Sequence, residues 1–166
     1  MDLVINALGV LLVRDLEGFQ REVELFPSDE LLWETAPGVT NSAGNLALHV
    51  AGNLQHYVGA VLGQTGYVRK RELEFGQRSG TRAEAVRELG QAIDVVRRVL
   101  PTVSPEVLRN AYPEAVGGVT PPTGRFLMHL AVHLAFHLGQ AGYLRRLLTG
   151  ENRSAGPVSV QALAIP

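Results

Sequence analysis

Apolar residues recur at helical spacing through most of the chain. Between residues 2 and 25 they fall at Leu3, Leu8, Leu11, Leu12, Leu16, Phe19 and Val23, with Arg14, Asp15 and Glu17 between them, which predicts a first helix. Pro27 and Ser28 stop it, and a short turn over residues 30–33 is the one regular piece expected before residue 41. Asn41 or Ser42 can cap a second helix that runs to about Gly63. The next stretch, "GQTGYVRKRELEFGQRSG", reads as a polar loop punctuated by glycine. Thr81 followed by Glu84 is a capping box, and it opens a third helix that reaches Leu100, just before Pro101. Residues 101–124 hold too much proline and glycine for a long element. Thr123 then caps a fourth helix that ends at Gly150.

Four long helices without a convincing strand predict an all-α fold, a four-helix bundle with long inter-helix connections. Residues 1–150 make the bundle domain, and 151–166 form a C-terminal tail with no helical period. All three linkers exceed a dozen residues. Connections of that length permit crossovers, so a simple up-down order does not follow, and long loops are where function concentrates.

The fourth helix contains "FLMHLAVHLAFHLGQAGYL", residues 126–144, without a single charge. Its length would suffice for a membrane span. A lone span would carry three imidazoles and Gln140 into lipid, and no second candidate span exists, so a buried bundle helix is the expectation. Composition agrees. The chain has 166 residues, 46% of them hydrophobic and 19% charged, which is globular rather than disordered. The net charge is −1 and there is no Lys/Arg-rich arm, so nucleic acid is not an expected partner. Cysteine is absent, which excludes disulfides, thiolate metal sites and cysteine nucleophiles. The apolar N-terminus begins with an acid and lacks the basic segment of a signal peptide, so a cytoplasmic location is expected.

Histidine is where chemistry concentrates. His129, His133 and His137 stand at steps of four, each step turning about 40° around a helix, so they form one slanted stripe. Adjacent members can ligate one ion together, whereas His129 and His137 lie about 12 Å apart along the axis and cannot. One of the three is therefore a bystander. Remaining ligands must come from another helix, and the second offers His49 and His56, nearly on one face but some 10 Å apart. Asn53 shares that face. All five histidines thus fall on two helical stripes, which favours a shared metal over isolated core histidines. Spacing alone leaves open which pair on the last helix takes part.

These residues resemble the DinB/YfiT-like metalloenzymes, over about residues 3–150. That family is a four-helix bundle with one metal-binding histidine on the second helix and an H-x-x-x-H pair on the last. "LALHVAGN" and "HLAFHLGQ" match it. The resemblance implies His49, His133 and His137 as ligands. A branch of the family is similar further, through H-x-x-G-N (His49, Gly52, Asn53) and R-x-R-x-x-E-F (Arg69, Arg71, Glu74, Phe75).

Three neutral imidazoles suit zinc, nickel, iron or manganese and leave a position for water or substrate, as catalytic sites do. Such a metal would act as a Lewis acid and lower the pKa of a bound water or thiol. Characterised relatives use a low-molecular-weight thiol, so the resemblance implies a thiol-dependent transferase or hydrolase acting on a small molecule. The alternative is a non-catalytic, stress-related binding bundle whose metal is structural or absent. His56 and His129 stand as candidates for ligands of a closed site.

Arg69 and Arg71 could grip a carboxylate or phosphate, or Arg71 could pair with Glu74 to pin the loop, which is the commoner arrangement. Gln140 is expected to point into the bundle and hydrogen-bond a ligand histidine or a neighbouring helix. Trp33 and Tyr143 are read as packing residues. Helix 1 is apolar over more than one face, so a second subunit is expected to cover the surplus, and the resemblance also implies a homodimer.

Overall fold

A computed structural model describes residues 3–156 and 159–164. The N-terminal helix α1 (Leu3–Glu24) buries Ile5, Leu8, Leu12, Leu16, Phe19 and Val23, the stripe that its periodicity predicts. A short helix, α2 (Asp29–Trp33), follows, with the Ser28 hydroxyl accepting from Leu31 N. Helix α3 (Ala43–Leu54) starts at Ser42, whose hydroxyl accepts from Asn45 N while the Asn45 side chain returns a bond to the Ser42 backbone. Nearly every residue of α3 is buried. The chain then continues through Gln55–Leu62 as a π-helix, ended at Gly63. Gly59 and Gly63 lie against Val95 and Val99, so missing Cβ atoms bring this segment close to the third long helix.

That helix, α5 (Arg82–Val99), opens on the expected Thr81/Glu84 capping box. Before it comes α4 (Arg71–Gly76), inside the stretch expected to be pure loop. Its six residues are too few to carry a periodic signal. Another five-residue helix, α6 (Pro105–Arg109), is capped by Ser104 in the stretch 101–124. Helix α7 (Thr123–Thr149) ends at Gly150, which takes the left-handed conformation with φ 70°. Thr123 is not its cap. Pro122 holds that place, and both the amide and the hydroxyl of Thr123 donate to Asn110 O, tying the helix start to the preceding loop.

The four long helices form a ring in which α1 packs on α5 and α7, and α3 packs on the same two. Consecutive long helices α1 and α3 therefore occupy opposite corners, as do α5 and α7. The first and third linkers span these diagonals, whereas the second joins the adjacent α3 and α5 and contains α4. Arg145, fully buried, joins α7 to α1 through Glu22 Oε2 at 2.6 Å. It also donates to Arg153 O, and Arg21 donates to Ala155 O and Gly156 O, so two arginines hold the start of the tail. No helix among the described residues is long and apolar enough to cross a membrane. They contain no strand, only two isolated bridges in the loop before α7.

Candidate metal centre

Helices α3 and α7 run side by side in opposite directions. His49 meets His133 and His137, while about two turns further on Tyr57 meets Phe126, with ring centroids 5.0 Å apart. Among the described residues, His49, His133 and His137 are the group whose ligand atoms converge, all within 4.8 Å of one another. His49 Nε2 lies 3.2 Å from His133 Nε2, and His137 Nε2 lies 3.1 Å from the same atom. Two nitrogens on one ion with bonds of about 2.0–2.1 Å are separated by roughly 3.0–3.4 Å, so the spacing of these two pairs is compatible with ligands of one ion.

The opposite ring nitrogens decide whether lone pairs face that point. His49 Nδ1 donates to Glu74 Oε2 at 2.9 Å, and His137 Nδ1 donates to Gln140 Oε1 at 2.8 Å. With Nδ1 carrying the proton in both, each Nε2 presents a lone pair. Among the described residues, His133 makes no hydrogen bond through Nδ1, so its tautomer is not fixed as those of His49 and His137 are. Burial pushes the His133 pKa down to about 4, helped by His137 and His49 beside it. Burial likewise lowers His137, against the opposing pull of its bond to Gln140. Both imidazoles are therefore neutral at pH 7, and the donor set fits a divalent ion of intermediate softness.

Glu74 is the structural pivot. Burial raises its pKa, but hydrogen bonds from Arg69 and His49 outweigh this and leave it below the usual value. Arg69 grips it with two bonds, Nε to Oε1 and Nη2 to Oε2, both 2.7 Å. The two sequence motifs are thus one construction. A Cβ on Gly52 would collide with Glu74 Oε1 and come within 3.3 Å of the Tyr67 hydroxyl, so the glycine makes room for the carboxylate. Phe75, next in sequence, lays its ring 4.6 Å from the His49 ring. The chain N-terminal to α4 brings Arg69 back onto Glu74. Arg71, the first residue of the helix, is exposed with its guanidinium 5.1 Å from the Phe75 ring. The expected Arg71–Glu74 pair is therefore an Arg69–Glu74 pair, and the two arginines do not form one anion clamp.

The other candidates lie outside the cluster. His56 Nε2 sits 3.1 Å from Glu114 on the loop before α7. His129 is exposed and stacked between Phe126 and His133, 5.9 Å from the latter ring. Neither joins the three converging nitrogens. Asn53 is buried one turn beyond His49, with Oδ1 lacking a hydrogen-bond partner. Gln140 bonds His137 as expected, but from the exposed side of α7 rather than from inside the bundle, because the histidine stripe sits at the edge of the core. Trp33 packs against Gly44 and donates to Gly80 O at 2.7 Å. Tyr143, expected to pack, is largely exposed. Glu114 was not singled out by the sequence, since it lies in an irregular segment without a motif.

An all-helical bundle carrying three convergent histidines from its second and last long helices defines the class of protein. Residues 11–141 match the DinB superfamily, and the chain belongs to it. No curated protein and no solved structure matches the chain.

Proposed function

We propose that the protein is a metal-dependent enzyme acting on a small molecule, with His49, His133 and His137 as the ligands of one divalent ion: zinc, nickel, iron or manganese. The observation that carries this reading is the convergence of three Nε2 atoms, two with their Nδ1 protons fixed by Glu74 and Gln140. An ion held there supplies Lewis-acid chemistry towards a thiol, water or carbonyl group. The protein's own residues do the positioning. Glu74 and Arg69 fix the His49 ring, Gln140 fixes His137, and Phe75 walls one side.

Three protein ligands rather than four favour a catalytic over a structural ion. His56 is engaged by Glu114, His129 is turned away along its stripe, and Glu74 is held by Arg69. A transferase or hydrolase reaction using a low-molecular-weight thiol is the reading drawn from the family resemblance. Metal analysis of protein purified without an affinity tag tests the site: about one equivalent of a transition metal is expected, and none in His133→Ala. A wild-type protein that neither retains nor takes up zinc, nickel, iron or manganese would overturn it. Screening the metal-loaded protein for consumption of small thiols, with His133→Ala as the blank, then tests the reaction class.

A further inference from the structure

We propose that Arg69 and Asn53 form a subsite for the carboxylate of a small organic acid, placed beside the three-histidine centre. The inference rests on the metal reading and adds the chemical class of the molecule bound there. Asn53 follows His49 by one turn and precedes Tyr57 by one, so the three share a stripe. Arg69 reaches across this stripe. Its Nη2 lies 3.3 Å from His49 Nδ1, and its guanidinium carbon lies 5.6 Å from the centre of the Tyr57 ring. Asn53 therefore stands between the two contacts of Arg69.

Neither residue has used its full hydrogen-bonding capacity. Asn53 is 7% exposed, yet its amide makes no hydrogen bond among the described residues, and its Oδ1 is buried without a partner. A buried amide of that kind is costly to leave unmet. Asn45, one turn before His49, shows the contrast: its amide nitrogen donates to Glu74 O and Gln77 O, both at 2.9 Å. Arg69 gives Glu74 two bonds, through Nε and Nη2, and its Nη1 donates to no nitrogen or oxygen among the described residues. Two adjacent donors, Arg69 Nη1 and Asn53 Nδ2, thus lack acceptors.

Charge selects the ligand. Glu74 cancels Arg69, and imidazoles that ligate an ion are neutral. A divalent ion would leave two positive charges in the centre. A hydroxide or thiolate on the ion offsets one and a carboxylate offsets the other, whereas a phosphate dianion overshoots. A carboxylate also presents two oxygens in one plane, which suits two adjacent donors. The approach is basic: a hollow of about 470 Å³ opens on Arg69 and is lined besides by Lys70, Arg71, Glu72 and Leu73. Lys70 and Arg71 are exposed, and positive charge around an entrance raises the rate at which anions arrive. The reacting group of the molecule lies a few atoms from its carboxylate, because the subsite adjoins His49.

Cobalt added to the metal-free protein reports ligand binding through its visible spectrum. Three thiols serve as probes: mercaptopropionate, its uncharged amide and its phosphonate analogue. The wild type is expected to bind the carboxylate about tenfold more tightly than the amide, the worth of one hydrogen bond to a charged group. It is also expected to bind the carboxylate more tightly than the phosphonate. Asn53→Leu is expected to lose most of the preference over the amide with its cobalt affinity unchanged. Asn53→Asp, which keeps the shape and adds a negative charge, is expected to prefer the amide. His56→Ala is expected to match the wild type. A preference that survives in both Asn53 variants overturns the inference, since the carboxylate then binds the ion itself. Equal binding of carboxylate and amide by the wild type overturns it too, as does tighter binding of the phosphonate. A cobalt affinity that falls in Asn53→Leu would make the residue a support of the ligands and likewise overturns the subsite. A wild type that takes up no cobalt fails the metal reading and the inference with it, whereas uptake of cobalt with any of these contrary outcomes fails the inference alone.

Discussion

Single atoms decide the geometry of the histidine cluster. Gly52 shows how strictly: its absent Cβ is the space that the Glu74 carboxylate fills, and Glu74 orients His49. Gly52→Ala is therefore expected to displace the carboxylate and loosen His49 without touching a ligand. Disturbing partners of this kind costs roughly 10–100-fold in metal affinity. Titration of the metal-free variant with zinc or nickel measures this, and an affinity equal to wild type would remove Glu74 from its orienting role. His133→Ala is expected to abolish binding and the associated rise in melting temperature, whereas His56→Ala keeps both, since His56 turns to Glu114. The histidine stripe was legible in the sequence because histidines at steps of four share one face of a helix, but spacing left open which pair of them meets His49. The Arg69–Glu74 pairing was not, because it depends on a fold-back before a six-residue helix whose short length gives no period.

At the level of elements, the long helices announced themselves through their caps and apolar stripes. α5 begins where Thr81 and Glu84 cap each other, and α7 ends at the left-handed Gly150. The π-helical stretch Gln55–Leu62 left no such mark, since residues suited to an α-helix can also widen by one residue per turn when packing requires it. The capping box also makes a prediction about pH. The Thr81 backbone amide, then its hydroxyl, donates to Glu84 and holds its pKa below the ordinary 4.5. A depressed carboxylate stabilises the fold above its unfolded pKa, and the contribution fades as pH falls through the folded value. Glu84→Ala is thus expected to melt below wild type at pH 7, with the gap narrowing as pH falls below 4.5. A gap independent of pH would assign the effect to helix propensity alone.

For the whole molecule, the packing order explains what the sequence withheld. Helical periodicity says which face is buried but not which neighbour buries it, so the placement of α1 opposite α3 could not be read from apolar stripes. The contact that locks the order is the ion pair between Glu22 on α1 and Arg145 on α7, with side chains 2% and 0% exposed. The sequence hid it, because an acid and an arginine 123 residues apart, each beside other charged residues, look like surface residues. Removing one partner leaves a charge in the core, so Glu22→Ala is expected to cost about 3–5 kcal/mol. The double variant Glu22→Leu, Arg145→Met removes both charges and is expected to recover most of that loss. It also deletes the donor to Arg153 O, so its tail should be cut faster by protease even where its global stability is restored. Urea unfolding of the three proteins, together with limited proteolysis, separates the two roles. A double variant as unstable as Glu22→Ala would mean that the hydrogen bond to the tail, and not relief of a buried charge, governs how α1 and α7 are held.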